Sequence, residues 1–310
     1  MEHLNQLTPG QQQGVLSLIQ SATQHDQVPP ISDHILLHLR HGGDKQDSHL
    51  VIYEDNNPNH QIVGYAHLDQ TDLVAGPSVE LVVDPKLRQG DIGNQLLQAA
   101  IKICGNRLRL WSHGDLITTN KLALDNNFQK IRTVLQLHMG LSQIYEVKWP
   151  DSDLTIRSFL PQLDSTAWLS LNNKVFANHP EQGNWSLDDL NLRLKEDWFD
   201  EKGLFIVEKG NQIIASSWTK IHGASSHDHG DAHIHDHPAI GEVYITAVDP
   251  QYAGGGIGRA LTLTALNYLK YQGLNDVILY VDEENLTALN LYKSIGFKQS
   301  GKDILFKLKS

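Results

Sequence analysis

The 310-residue sequence is poor in cysteine, in long apolar runs and in basic residues. A single cysteine, Cys104, excludes an intrachain disulfide, and its apolar surroundings AAIKIC favour a packing role over a nucleophilic one. No stretch approaches the ~20 apolar residues of a membrane-spanning helix. The first residues, MEHLNQLTPGQQQG, lack the basic and apolar regions of a signal peptide. We therefore expect a cytoplasmic protein with no membrane partner.

Basic residues are outnumbered, with 25 Lys and Arg against 36 Asp and Glu and a formal net charge of −11. An acidic surface repels phosphate backbones and anionic lipids, so the charge balance argues against nucleic-acid and membrane partners. A local basic pocket for a phosphorylated ligand is compatible with it. The length predicts about two domains of roughly 150 residues each. We expect the chain to act as a monomer.

The most informative stretch is GEVYITAVDPQYAGGGIGRAL, residues 241–261, which reads as a strand, a glycine-rich turn and the start of a helix. Glycine lets the backbone approach an anion closely and adopt positive φ. Unpaired N–H groups at the start of the following helix attract phosphate. A flexible turn without a ligand is the alternative, because short glycine motifs are common.

A second copy of this pattern lies in the first half, in ELVVDPKLRQGDIGNQL over residues 80–96. At one constant offset Asp84–Pro85 matches Asp249–Pro250, and Ile92–Gly93 matches Ile257–Gly258. Self-similarity over this length indicates a duplicated domain and not a short repeat.

Apolar periodicity predicts the same order of elements in both halves: a helix, a hairpin, the strand before the turn, and then alternating helices and strands. The fold class is therefore mixed α/β, with two tandem domains that each have a mostly antiparallel sheet flanked by helices. We expect the domains at 1–145 and 154–310, joined by the linker 144–153. Residues 222–237 interrupt the second copy with six histidines. We interpret them as a solvated loop, with transition-metal binding as the alternative.

The strand, the turn and the late segment Asn285–Phe297 together resemble the GCN5-related N-acetyltransferase (GNAT) superfamily. The turn of that family follows Q/R-x-x-G-x-G/A, and its late helix carries Asn-x-x-Ala-x-x-x-Tyr before Gly-Phe. The second copy departs from the pattern at Ala253, where Arg or Gln is usual. The first copy has Asp91 at the central glycine, where a carboxylate would repel a pyrophosphate.

The resemblance implies acetyl-CoA as co-substrate and no required metal. In that family the strand before the turn holds the acetyl and pantetheine groups, and the turn amides hold the pyrophosphate. The resemblance assigns cofactor binding in the second copy to Thr246, Ala247, Val248, Gly254, Gly255, Gly256, Ile257, Gly258, Arg259, Asn285 and Asn290, and in the first copy to Leu81, Val82, Val83, Arg88, Gly90, Gly93 and Asn94.

Two side chains are candidates for the proton transfers, since an amine that attacks a thioester needs a base and the leaving thiolate needs an acid. The resemblance favours Glu242 as the base and Tyr292 as the acid. A surface glutamate and a core-packing tyrosine are the alternatives. Strand alternation predicts one shared face for a set of four residues, Glu242, Tyr244, Thr246 and Val248.

The first copy lacks both groups. Its aligned positions carry Pro77 in place of Glu242 and Ala123 in place of Tyr292. We therefore expect the N-terminal domain to be non-catalytic, and to bind acetyl-CoA more weakly if it binds it at all.

Four segments restrict the resemblance to one branch of this superfamily. They are NNKVFANHPEQGNWS (172–186), SWTKIH (217–222), GEVYITAVDP (241–250) and LYVDEEN (279–285). They resemble the mycothiol synthases, a tandem branch of the superfamily, over nearly the whole chain. That branch acetylates the cysteinyl amine of cysteinyl-glucosaminyl-inositol, which is therefore the implied partner. The implied substrate residues are Asp33 from the first domain and Glu181, Lys220, Glu242 and Tyr280 from the second. Each has a structural alternative, such as a helix cap for Asp33.

Other readings stay open at this point. One is a tandem acetyltransferase for another small amine or a peptide N-terminus. Another, of a different class, is a non-catalytic CoA-binding protein or a metal-buffering protein that uses the histidine-rich loop. Retention of Glu242 and Tyr292 argues against a CoA sensor without turnover.

A substitution of Asp33 tests the substrate assignment. If the carboxylate binds a hydroxyl-rich amine, Asp33→Ala raises the KM of the amine more than the KM of acetyl-CoA, because only the amine loses a partner. Steady-state kinetics with each substrate varied in turn measures both constants. An effect on stability alone would return Asp33 to a capping role.

Overall fold

A computed structural model of the chain describes residues 1–32, 35–36, 38–39, 47–54, 61–70, 76–177, 179, 182–196, 198–222, 225–227, 235–237 and 239–309. The predicted substrate residues Asp33 and Glu181 lie outside the described residues, as does much of the histidine-rich segment. Within the described ranges, no helix has both the length and the apolarity to cross a bilayer.

Seven α-helices of the described chain carry most of the helical structure. They are α1 (Pro9–Asp26), α2 (Ile92–Cys104), α3 (Ile117–Asp125), α4 (Pro161–Val175), α5 (Leu187–Arg193), α6 (Ile257–Tyr271) and α7 (Leu286–Ile295).

Fourteen strands accompany them in the same described ranges. They are β1 (Glu2–Leu4), β2 (Ser48–Tyr53), β3 (Ile62–Asp69), β4 (Ser78–Val83), β5 (Arg109–Ser112), β6 (Phe128–Gly140), β7 (Leu154–Ser158), β8 (Leu204–Lys209), β9 (Gln212–His222), β10 (Ser225–His227), β11 (His235–His237), β12 (Ile240–Val248), β13 (Asp276–Asp282) and β14 (Lys298–Leu308).

The chain forms two compact units. The first comprises Met1–Leu135, Asp282–Glu284 and Gly301–Ser310, and the second comprises Gln136–Val281 and Asn285–Ser300. This division departs from the predicted halves 1–145 and 154–310 at their ends. The last residues of the chain complete the first unit, and the end of β6 belongs to the second.

Strands of the first unit lie in the order β1-β2-β3-β4-β5-β14. Neighbours are antiparallel except β4 and β5, whose parallel ladder consists of Ser78–Arg109 and Val79–Leu110. One face packs against α2 through Leu96 and Leu97. The other face packs against α1, where Val15 belongs to the same apolar cluster as Tyr65. The sheet is thus covered by helices on both faces.

The second unit repeats this plan in the order β13-β12-β9-β8-β7. Its parallel pair, β12 and β13, is registered at Gly241–Val277 and Glu242–Ile278. One face packs against α4 through Trp168 and Trp218, and the other packs against the start of α6 through Ile257. The mixed α/β class with mostly antiparallel sheets, expected from the sequence, is confirmed.

The duplication is visible in local hydrogen bonds as well as in the amino-acid sequence. Asp84 and Asp249 each accept a hydrogen bond from the backbone N–H two residues later, at 2.9 and 3.0 Å. Their own N–H groups donate to Val63 O and Ile214 O, at 2.9 and 2.8 Å. The Asp-Pro break therefore starts the same turn in both units.

Helix starts are encoded locally. Thr8 and Gln11 form a capping box at α1, and Ser186 and Asp189 form one at α5. Each box satisfies two N–H groups that the helix itself leaves without acceptors. At α7 the side chain of Asn285 accepts from Ala288 N at 3.1 Å, so this predicted cofactor residue also has a capping role.

A buried ion network ties β14 into the first unit. His113 Nε2 lies 3.1 Å from a Glu80 carboxylate oxygen, and its Nδ1 lies 3.2 Å from an Asp303 oxygen. Burial by itself lowers the pKa of His113, but the charge of Glu80 and the hydrogen bonds to both carboxylates raise it well above the ordinary value. The imidazolium is therefore the stabilised form in the folded protein.

We predict that His113→Gln destabilises the protein by about 3 kcal/mol, because it leaves two carboxylates without their shared cation. A raised folded-state pKa contributes stability fully below the unfolded value of about 6.5 and loses it as the pH rises through the folded value. Urea unfolding should therefore show a larger gap between wild type and variant at pH 6 than at pH 9. His3→Gln, at an exposed position of β1, is the matched control. An equal gap at both pH values would contradict the ion-pair role.

Candidate active site

The strand β12 contains one extra residue relative to its partner β9. Val243 lies opposite Thr219 and Ile245 lies opposite Trp218, so Tyr244 is inserted between two consecutive pairs. Such a bulge shifts the alternation of side chains by one position.

The consequence is that Glu242 and Thr246 lie on opposite faces of the sheet. Glu242 is paired with Lys220, two residues along β9 from Trp218, so Glu242 shares the tryptophan face. Ile245 packs on that face too, which turns Thr246 to the other one. The predicted common face for Glu242, Tyr244, Thr246 and Val248 is therefore wrong, because unbroken alternation does not hold across the bulge.

Glu242 is a buried carboxylate with a histidine beside it. Its side chain is 5% exposed, and its Oε2 lies 2.7 Å from His222 Nε2. The imidazole is 34% exposed, so it connects the carboxylate to solvent. This pair can accept a proton from a bound amine and release it outward.

Aromatic rings surround the lysine opposite Glu242. Lys220 is 6% exposed, and its Nζ lies 4.9 Å from the centre of the Trp198 ring and 5.6 Å from that of Tyr244. The Tyr244 hydroxyl accepts a hydrogen bond from Arg193 Nε at 3.3 Å. The face around Glu242 thus combines cations with flat aromatic surface, an arrangement that suits a polar ligand with several hydroxyls.

Two asparagines of α4 fix the segment that leads to α5. Asn172 Nδ2 donates to Gln182 O at 2.9 Å, and Asn173 Nδ2 donates to Trp185 O at 2.8 Å. The Trp185 ring in turn lies 3.7 Å below the guanidinium carbon of Arg193. The segments Asn172–Asn173 and Gly183–Trp185 therefore form one side of this aromatic surface.

Tyr280 lies on the same sheet face as Glu242. Glu242 pairs with Ile278 of β13, and alternation brings Tyr280 back to that face. The ring is 45% exposed, and its hydroxyl accepts from Gln136 Nε2 at 3.1 Å. Three of the predicted substrate residues, Lys220, Glu242 and Tyr280, are thus brought together.

Tyr292 lies on the opposite face, in α7. It is 8% exposed and packs against Phe297, with ring centres 5.8 Å apart. Burial raises the pKa of Tyr292 above that of a free tyrosine, while a hydrogen bond with the Thr246 side chain works against that rise. The phenol therefore stays protonated near neutral pH and can donate its proton.

The glycine turn presents unobstructed backbone. Gly254 and Gly256 have φ of +81° and +93°, a conformation that favours glycine. A Cβ added to Gly254 would meet no atom within 4 Å. Gly256 caps α6 with no side-chain hydrogen bond, and the first helical bond runs from Ala260 N to Gly256 O. The N–H groups that precede this bond have no acceptor within the helix, and such groups favour anions.

Comparison with known proteins assigns this chain to a family. A model of the acetyltransferase (GNAT) family matches residues 167–297. The chain is 42% identical to a mycothiol acetyltransferase from Acidothermus cellulolyticus, over 99% of this chain and 94% of that protein. It is also 42% identical to a protein of the same name from Thermomonospora curvata, over 97% and 95%. The chain belongs to the mycothiol acetyltransferase family.

Solved structures agree on the fold. A GCN5-related N-acetyltransferase from Sphaerobacter thermophilus matches with a TM-score of 0.67 at 18% identity, covering 98% of this chain and 95% of that one. A tandem GNAT protein from the clavulanic acid biosynthesis pathway matches with a TM-score of 0.68 at 14% identity, over 96% and 95%. The tandem GNAT architecture expected from the sequence is confirmed.

In the first unit of this mycothiol acetyltransferase family member, β4 is the strand that matches β12, and it contains no extra residue. The ladder of β3 and β4 runs from Gly64–Val83 to Asp69–Ser78 without a register shift. By register Ser78, opposite Asp69, corresponds to Glu242, opposite Lys220. The sequence offset had indicated Pro77, because Tyr244 has no counterpart in the first unit.

The turn of the first unit is occupied by its own side chains. Arg88 Nη1 donates to Asp26 at 2.7 Å and its Nε donates to Val83 O at 3.3 Å, which ties this predicted cofactor residue to α1. The Asp91 carboxylate accepts hydrogen bonds from Asn94 and Gln95, at 3.1 and 3.4 Å.

Sequence reasoning missed His222 as a neighbour of Glu242. The composition of residues 222–237 predicts a loop that begins at His222, but His222 is the last residue of β9, opposite Ile240. The alternation of Trp218, Lys220 and His222 in SWTKIH was the available signal. Arg193 and Trp198 were missed because nothing in their local sequence marks them.

We predict that His222→Gln lowers kcat of acetyl transfer by about 10- to 100-fold, the effect of losing a hydrogen bond to a charged group. The substitution should also change the acidic limb of the kcat/KM pH profile, because the proton path from Glu242 is altered. His138→Gln, an exposed histidine paired with Asp276, is the control. An unchanged pH profile would remove His222 from the proton path.

Proposed function

We propose that this chain transfers the acetyl group of acetyl-CoA to the cysteinyl amine of cysteinyl-glucosaminyl-inositol, the last step of mycothiol biosynthesis. The observation that supports this proposal most strongly is the full-length similarity to proteins named mycothiol acetyltransferase. The paired Glu242 and His222 on one face of β12, with Tyr292 on the other, supply the proton chemistry that this reaction needs.

The cofactor assignment rests on two features of the second unit. The unobstructed turn at Gly254 and the start of α6 fit a pyrophosphate. Beyond Glu242 and Ile278 no further pair is registered between the described residues of β12 and β13. The Asp249 N–H bonds to Ile214 O of β9, so alternation along the strand turns the Val248 N–H towards the opposite edge. There the Val248 N–H can meet the thioester carbonyl or the pantetheine amide.

In the proposed reaction Glu242 takes a proton from the attacking amine. The buried carboxylate lies within hydrogen-bond distance of His222, which passes the proton towards solvent. Lys220 and Tyr280 share this face and bind hydroxyl groups of the acceptor. Asp33 and Glu181, which lie outside the described residues, complete the acceptor site by family resemblance.

Tyr292 provides the second proton transfer. Since its pKa is raised by burial, the phenol is protonated at working pH and donates to the sulfur of the leaving group. Thr246 positions the hydroxyl and is itself 3.1 Å from Ser217. Neither step involves a metal in this proposal.

The first unit contributes no catalytic group in this scheme. It carries Ser78 and Ala123 where the second unit carries Glu242 and Tyr292. Asp91 and the Arg88–Asp26 ion pair occupy its turn. We propose that its role is to supply substrate contacts, with acetyl-CoA binding weaker than in the second unit.

The activity is tested by incubating the protein with acetyl-CoA and cysteinyl-glucosaminyl-inositol and identifying the product by mass spectrometry. We expect acetylation of the cysteinyl amine. A thiol-reactive dye alone would mislead, because the acceptor carries its own thiol. If no product forms while acetyl-CoA binds, the acceptor is a different amine, and a panel of aminoglycosides and peptide N-termini identifies it. Binding without turnover of any amine would indicate a CoA sensor.

Tyr292→Phe tests the acid. We expect kcat to fall by roughly 10²–10⁴, with little change in the KM of acetyl-CoA, since the ring packing on Phe297 is kept. Tyr271→Phe changes a tyrosine that is 75% exposed and controls for general effects. A variant as fast as wild type would show that Tyr292 does not donate the proton.

A further inference from the structure

The first unit buries a group of imidazoles and carboxylates that the proposed reaction does not use. His38, Asp47 and His67 are 7%, 4% and 0% exposed, and their ligand atoms lie within 4.8 Å of one another. One carboxylate oxygen is central, since Asp47 Oδ2 lies 2.8 Å from His38 Nδ1 and 3.7 Å from His67 Nε2.

These separations are close to those of a metal centre. Ligand atoms around a tetrahedral zinc ion lie roughly 3.3 Å apart, given metal–ligand bonds of about 2.0–2.1 Å. The distances from Asp47 Oδ2 to His38 Nδ1 and to His67 Nε2 each differ from that spacing by about half an ångström. Two histidines and one carboxylate, with a water in the fourth position, are a common ligand set for zinc.

A second layer of hydrogen bonds orients one of these rings. The Tyr65 hydroxyl lies 3.4 Å from His67 Nδ1 and 2.8 Å from His49 Nδ1. This leaves His67 Nε2 facing Asp47. Histidines that bind metals commonly have their other ring nitrogen held in this way, which fixes the tautomer and the ring plane.

The duplication shows that the fold itself does not need polar groups here. Gly64 and Ala215 occupy matching positions, because each pairs with the valine before an Asp-Pro turn. Counting along the strands, His67 matches Trp218, and His49, opposite His67, matches Leu204, opposite Trp218. In the second unit both positions belong to an apolar cluster. Burying imidazoles where hydrocarbon suffices is costly unless hydrogen bonds or a bound ion compensate.

We propose that His38, Asp47 and His67 form a binding site for one divalent transition ion of the zinc type. The ion joins β3, the residue before β2 and the segment that carries His38. It belongs to the first unit and takes no part in the proposed acetyl transfer.

The test separates this site from the histidine-rich segment 222–237, whose composition makes it the alternative place for a metal ion. In a full-length protein, five histidines of that segment are replaced by glutamine: His227→Gln, His229→Gln, His233→Gln, His235→Gln and His237→Gln. The protein is stripped with a chelator and dialysed against Zn²⁺, and bound zinc is counted by elemental analysis. We expect one equivalent per chain. No bound equivalent would overturn the proposal.

Further substitutions in this background locate the ion. Asp47→Asn and His67→Gln should each abolish the bound equivalent, while His138→Gln should retain it. Retention in both site variants would assign the zinc elsewhere and overturn the proposal. If the site variants do not fold, X-ray absorption of the zinc-loaded parent decides. Two imidazoles with oxygen ligands are expected, and a first shell with fewer than two imidazoles would refute the site.

Discussion

One extra residue in β12 determines which side chains this strand presents on each face of its sheet. The insertion of Tyr244 between Val243 and Ile245 sends Glu242 to the tryptophan face and Thr246 to the face of α7. With unbroken alternation, the carboxylate and the hydroxyl bonded to Tyr292 would point the same way. The bulge lets a single strand present the Glu242 carboxylate on one side and the Thr246 hydroxyl on the other. Within the described residues, the registered pairs of β12 with β13 end at Glu242 and Ile278.

The two units show how one backbone plan hosts different side-chain chemistry. Both have the hairpin, the Asp-Pro turn and the short parallel ladder. Only in the second is the strand bulged and the turn rich in glycine. In the first, the same turn is held by Asp91 and by the Arg88–Asp26 pair. The buried Trp218 and Leu204 of the second unit correspond to the buried His67 and the half-buried His49 of the first. Divergence after duplication therefore changed side chains within a conserved ladder of backbone hydrogen bonds.

Much of the fold was accessible from the sequence because its signals are local. The Asp-Pro breaks, the glycine turn and the helix after it are predicted where the structure has them. Short elements with weak patterns, β1, β7 and α5, were not predicted.

The bulge was not predicted because the residues of β12 alternate without interruption, and only the register with β9 reveals the extra residue. His222 was assigned to a loop by composition, although it continues the alternation of β9. The catalytic assignments came from family motifs, since periodicity does not distinguish a core tyrosine from an acid.

The position of Gly301–Ser310 in the first unit has a consequence for how the chain is made. Residues Ile304–Lys307 pair with β5, and Ile304 and Phe306 belong to the core of the first unit. A nascent chain therefore cannot complete its first unit until residues 304–307 have been translated and have left the ribosome. Until then β5 has an open edge, which is a site for mispairing and aggregation. Pairing between such distant segments also slows folding, because the intervening chain must close as one large loop. The whole polypeptide, and not each half in turn, is the unit that matures.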